Sequence, residues 1–398
     1  MLPDITLSTF SNASPQAKEI TTLFINVLLV CSVIFVIVTV WVGYSIWKFR
    51  HKEGEDGEPD QHQINKNYEI TWTIIPALIC VLLGYWTVKS MFGPNGGEPR
   101  HKVEPDIVIT GAQWWWDVRY PKLGVVTANE IHVPTGRPLV VDLESNDVIH
   151  TFWVPELGRK EQMIPGHHSL LSVESTFIGQ YLGACAQYCG NQHAWMRLLL
   201  VSESPADFDA WVAKQKSRGP LPPPLVSRAE AGPAPVIAPN SGEQTPQHPA
   251  GSGAERPLGQ PIPLAAKLGG GTKGATPVIN TLMPSDKVAK LSDAASPAPT
   301  SDAIAAKGDV ARGLQVYKEQ TCGTCHAVEG VSDAPYAPNL SHLASRQTLG
   351  AGVLKNTHED LYKWMANPQA FKPGCNMPNF HLTPEQTSDL VAYLETLK

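Results

Sequence analysis

Two short stretches hold the soft metal ligands of this chain. The first, CAQYCGNQHAWM, sets Cys185, Cys189, His193 and Met196 in one loop. Thiolates and thioethers select copper or zinc, and imidazole suits both. A mononuclear blue-copper site uses one cysteine. Two thiolates can instead bridge two copper ions in a Cu₂S₂ core, where each ion needs one imidazole and one weak axial ligand. His193 supplies one imidazole. His150, in NDVIHTFWVP, is the best candidate for the other. Met196 supplies one axial ligand, and the backbone carbonyl of Gln187 could supply the second. A structural zinc site would take a Cys₂His₂ set and leave Met196 without a use. Charge spread over two metals and two sulfurs limits the geometry change on reduction. That suits a one-electron relay and leaves no open position for a substrate.

The second stretch, CGTCH, covers 322–326. Cys322 and Cys325 would tether haem c through two thioethers, with His326 as the proximal ligand. No second CxxC follows to complete a zinc site. A sixth, methionine ligand raises the potential of such a centre. Met377 lies in the proline-bounded loop KPGCNMPNF and is chosen; Met365, in the helical pattern DLYKWMANP, is assigned to the core. Cys375 reads as a passive free thiol.

The elements that must position these ligands differ along the chain. Residues 1–19 form an N-terminal segment. Residues 20–47 carry no charge and are long enough to cross ~30 Å of hydrocarbon. A second apolar stretch, 70–91, contains Pro76, which membrane helices tolerate. The loop between them, 48–69, holds Lys48, Arg50, His51, Lys52 and Lys66, whereas the first 19 residues hold only Lys18. The positive-inside rule therefore places this loop in the cytoplasm and both chain ends outside. From 92 to 216, short runs rich in Val, Ile, Leu and aromatics alternate with turns, which predicts a β-sandwich or barrel. Residues 217–305 are rich in Pro, Ala and Gly and read as a mobile linker. Residues 306–398 turn helical, with capping boxes at Thr357/Asp360 and Thr383/Gln386. The net charge of −6 and the lack of a basic run exclude a nucleic-acid partner. Of the seven cysteines, four lie in two cofactor-like pairs, two in apolar runs and Cys375 alone, which is not a disulfide framework.

The stretches EITWTIIP, GAQWWWDV, DVIHTFWVPELG, IPG and the copper loop, in this order after two spans, resemble subunit II of the haem–copper cytochrome c oxidases. APNLSHLASR, GVLKNT and PGCNMPNF resemble the cytochrome c domain fused to that subunit in caa-type oxidases. The resemblance implies a multidomain membrane protein: a two-helix hairpin, a cupredoxin-like domain and an all-α class I cytochrome c domain. It implies dinuclear CuA on His150, Cys185, Gln187, Cys189, His193 and Met196, and one covalent haem c. Trp114 and Trp116 match the family's aromatic surface cluster where electrons enter, and Glu69 matches the acid at the mouth of a proton path. Gln187 and Gln162 stand where the family commonly has Glu and often Asp, so an interface magnesium is not carried over.

The implied partners are subunit I, with haem a and CuB, and subunit III. The external donor would be a soluble cytochrome c or an associated quinol-oxidising complex. Electrons would pass through haem c and CuA to subunit I, which reduces O₂ and pumps protons, in a bacterial cell membrane with both domains on the periplasmic or extracellular side. The alternative is the electron-input subunit of a CuA-containing nitric oxide reductase. A copper-delivery shuttle is disfavoured, because delivery calls for open, mobile ligands. His132, His167 and His168 read as surface or hydrogen-bonded side chains.

Overall fold

The computed structural model describes residues 9–51, 54, 57, 65–92, 104–216, 224–225 and 299–398. Most of the predicted linker, and much of the charged loop before residue 65, lie outside the described residues.

Helix α1 (Pro15–Lys48) starts five residues before the predicted span. Ser14 caps it by accepting from Ala17 N at 2.9 Å, and Pro15 occupies the first turn, where its missing N–H costs nothing. Helix α2 (Lys66–Phe92) keeps Pro76 in its interior. Their apolar side chains, among them Leu29, Ile37, Trp72 and Leu78, point outward. Both helices are long and apolar enough to cross a membrane. The start of α1 is bonded to the β domain: Ser14 Oγ donates to Leu157 O and Thr176 N to Ala13 O. Gly158 has φ +88°, and a Cβ there would lie 3.0 Å from Ala17 Cα, so glycine permits this contact. The chain start and the β domain therefore share one side of the membrane.

The β domain has two five-stranded sheets. One runs β3 (Val125–Ala128), β2 (Trp115–Tyr120), β1 (Ile107–Ala112), β5 (Leu139–Ser145), β8 (Ser169–Val173). The other runs β4 (Glu130–Pro134), β10 (Arg197–Glu203), β9 (Gly179–Cys185), β6 (His150–Trp153), β7 (Lys160–Met163). The β1–β5 and β10–β4 pairs are parallel and the rest antiparallel, a Greek-key-like, cupredoxin-like sandwich. Ile109, Val118, Leu143, Phe152 and Leu200 fill its core. Helix α3 (Pro205–Gln215) closes one end through Phe208 and Trp211.

The C-terminal unit packs helices α5 (Val310–Glu319), α6 (His358–Ala366) and α7 (Pro384–Leu394). A short helix α4 (Ser301–Ala305), expected within the linker, joins this unit through Ala303 and Ile304. Where α5 meets α7, a Cβ on Gly313 would fall 2.0 Å from Asp389 O, so only glycine allows the close crossing. Thr383 and Gln386 form the expected capping box, and Thr357 caps α6 by accepting from Asp360 N.

Candidate copper and haem sites

The fold gathers the copper-loop ligands from two neighbouring strands. Cys185 ends β9 and His150 opens β6, and the two strands pair at Phe152–Cys185. The loop then turns through Cys189 and a short 3₁₀ turn at His193–Trp195 before Met196 leads into β10. The two sulfurs lie 3.9 Å apart. His150 Nδ1 is 3.8 Å from Cys185 Sγ, and His193 Nδ1 is 3.6 Å from Cys189 Sγ. Met196 Sδ is 3.8 Å from Cys189 Sγ, and Gln187 O is 3.2 Å from Cys185 Sγ. Four donor atoms thus surround one sulfur pair, making a set of six. His150, Cys185, Cys189 and Met196 are buried, while the Gln187 side chain is exposed and only its carbonyl turns inward.

The sulfurs tune each other. The Cys189 sulfur, with His150, holds the Cys185 thiol down at about 3, despite burial. The same pairing and burial push Cys189 above the ordinary thiol range, so the pair keeps one proton between them. Burial opposes protonation of His150, but its bonds to Asp147 and Cys185 win and raise it. This soft, largely buried set fits copper, which His150, Cys185, Cys189, His193, Met196 and the Gln187 carbonyl would hold for one-electron transfer.

Asp147 was not singled out from sequence. Its Oδ1 sits 2.8 Å from His150 Nε2, and its Oδ2 accepts from Gln113 N at 2.7 Å. The carboxylate holds Nε2 and so fixes the ring with Nδ1 facing the sulfurs. An acid three residues before a ligand histidine was the available signal. Gly111 serves the same geometry, since a Cβ there would meet His150 Cδ2 at 2.9 Å.

The C-x-x-C-H turn places Cys322, Cys325 and His326 at the wall of a cavity of about 500 Å³. His326 Nδ1 lies 2.8 Å from Pro338 O. That bond spends one nitrogen and leaves Nε2 for iron. Burial lowers the His326 pKa, which keeps the ring neutral, as a ligand must be. Met377 borders the cavity from a loop gathered by Gln369, whose Nε2 donates to Met377 O at 2.6 Å and Cys375 O at 3.0 Å. Met365 packs against the core, as expected, and borders the cavity too. Leu343, Leu349, Leu361 and Trp364 add apolar wall. Volume, wall chemistry and the His326 tautomer all fit a covalently held haem.

The cavity is closed partly by the β domain, through Gln113, Trp114, Trp115 and Asp147. Trp114 sits in the β1–β2 turn and donates its indole N–H to Cys189 O at 3.0 Å. Trp116 does not belong to a surface cluster. Strand alternation turns it inward, where it is fully buried, 6.2 Å from the His150 ring. Trp115 takes the outward face and lines the haem cavity. Trp195, flanked by the candidate ligands His193 and Met196, packs on the cytochrome core. Glu69 is exposed near the start of α2. His132 stacks on Trp211 at 4.1 Å and contacts Glu203, a structural role. The solvent-facing His168 bonds to Asp142.

A membrane hairpin, a copper-type β domain and a C-x-x-C-H cytochrome unit define an electron-transfer subunit. Family models agree in the same order: the cytochrome c oxidase subunit II transmembrane domain over 5–89, its periplasmic domain over 122–203, and cytochrome c over 310–398. The chain is 26% identical to cytochrome c oxidase subunit 2 of Alkalihalophilus pseudofirmus, across 98% of this chain and 91% of that one. It is 24% identical to cytochrome c oxidase subunit 2 of Bacillus sp. strain PS3, across 88% and 80%. It is 29% identical to quinol oxidase subunit 2 of Bacillus cereus, across 54% and 76%. The chain belongs to the cytochrome c oxidase subunit II family, in the form that carries a fused cytochrome c domain. It is a two-span membrane protein with its β domain on the periplasmic or extracellular side, and a subunit of an oxidoreductase complex.

Proposed function

We propose that this chain is the electron-input subunit of a proton-pumping terminal oxidase. One haem c and a dinuclear copper centre would supply successive one-electron carriers between an external donor and subunit I. The observation that carries this reading is Trp114, which lines the haem cavity and is bonded to the carbonyl of the ligand Cys189. One side chain thus spans from one site to the other.

The protein's own groups divide the work. His150, Cys185, Cys189, His193, Met196 and the Gln187 carbonyl would hold copper. Asp147 orients His150, and the buried sandwich resists rearrangement of the ligands. Cys322, Cys325 and His326 would hold haem, with Met377 as the sixth ligand. Relatives named for cytochrome c and for quinol both match, so the family alone does not fix the donor; the paired cysteines and the C-x-x-C-H turn favour a chain that carries its own cytochrome. Subunit I, with haem a and CuB, and subunit III are the proposed partners, and Glu69 the acid at a proton path into subunit I. The copper-loop glutamine Gln187 offers an interface magnesium no carboxylate.

Flash reduction of haem c in the purified complex tests the route. The haem band should reoxidise in step with reduction of the copper band, and Trp114→Leu should slow this step roughly tenfold or more with both centres still loaded. Haem that stays reduced while copper is present would refute the route.

A further inference from the structure

We propose that the cytochrome c domain is locked onto the copper domain, not merely tethered to it, and that Glu130 and Lys372 are the positioning residues of the lock. This rests on the electron-input reading above.

Each domain buries an ionisable side chain against the other. Glu130, on β4, is 2% exposed. Its Oε1 accepts from Gln347 N at 2.7 Å, Thr348 N at 2.8 Å and Thr348 Oγ1 at 3.1 Å. Lys372, from the cytochrome unit, is 4% exposed and donates at 3.2 Å to both Trp114 O and Gly350 O. A buried polar group is costly unless its bonds are made. Separation would leave the amides of Gln347 and Thr348 and the Glu130 carboxyl without these partners, so the two surfaces are satisfied together.

Further bonds close the seam away from these two residues. Arg197 N donates to Ala351 O at 3.1 Å, and Asn376 Nδ2 donates to Gln113 O at 2.8 Å. The polar contacts thus surround the shared cavity. Lys372 reaches the backbone of Trp114 itself, so the lock fixes the ring that faces both sites. Electron transfer falls steeply with separation, and a fixed contact removes the search by a tethered domain. A domain that swung between donor and copper would gain nothing from burying Glu130 and Lys372 in this one pose.

The test uses the full chain, metal-loaded, in its oxidase complex. Amide hydrogen exchange is read at Gln347 and Thr348, and at Arg197 as a remote reporter that neither variant touches. The lock predicts slow exchange at all three in the native chain and a haem-to-copper rate independent of solvent viscosity. Glu130→Ala with Lys372→Met should release all three amides, slow transfer on the order of tenfold or more and make it viscosity-dependent, while haem and copper spectra persist. Glu130→Gln, which keeps an acceptor oxygen, should restore protection when Lys372 is native. Fast exchange or viscosity-dependent transfer in the native chain would overturn the lock, whatever the variants do. So would a double variant with Arg197 still protected and transfer unchanged. Protected amides without any haem-to-copper transfer would leave the lock standing and remove the functional reading beneath it.

Discussion

At the scale of single residues, the copper site depends on groups that never touch metal. Asp147 holds His150 Nε2 at 2.8 Å and thereby aims Nδ1 at the sulfurs. Asp147→Asn should weaken copper binding by about 10–100-fold without unfolding the domain, as equilibrium copper titration against a chelator would show. The proton shared by Cys185 and Cys189, and the raised His150, must leave before metal is bound. Copper uptake should therefore release protons, and affinity should drop as pH falls; titration at several pH values with proton release measured in parallel checks the sign. The ligand types were legible because soft side chains clustered at tight spacing. Asp147 was not, because an acid in a turn means nothing until the ring it faces is placed. Trp116 was misread because three adjacent tryptophans do not reveal which one the strand turns inward. Met365 reads as core from helical periodicity, and it packs on that core while also bordering the cavity.

At the scale of elements, close crossings and caps do the positioning. Gly313→Ala would gain at most about 1 kcal/mol in helix propensity. Its Cβ would press on Asp389 O at 2.0 Å, and overpacking against backbone costs roughly 1–3 kcal/mol or more, so the variant should melt lower in the cytochrome unit. Asp389 accepts from Arg312 and from Asp309 N. The Arg312 bonds hold its carboxyl below the usual range against the pull of burial. A depressed carboxylate stabilises the fold above its unfolded value and loses that contribution as pH falls. Asp389→Asn should therefore lower the melting temperature at neutral pH, and the gap from the native chain should close below about pH 4. Element types were legible from periodicity and turns, and the Thr383 cap from its sequence box. The early start of α1 was missed because Ser14 and Pro15 begin the helix before its apolar run. Helix α4 was missed because its short Ala-rich sequence resembles the linker beside it until Ala303 and Ile304 find the core.

At the scale of the whole molecule, the order of modules was legible and their contact was not. Glu130 sits in an ordinary strand sequence, and Lys372 beside a proline turn; neither advertises a partner more than 200 residues away in sequence. The same contact covers Trp114, so the proposed route would begin at the cytochrome unit. The measurement that bears most directly on the central claim is the electron paramagnetic resonance spectrum of the oxidised, full-length chain, with copper counted per haem. The account predicts two coppers per haem and a hyperfine pattern from one unpaired electron shared by two copper nuclei, lost on Cys189→Ser. One copper per haem with the pattern of a single nucleus, or zinc with no signal, would contradict it.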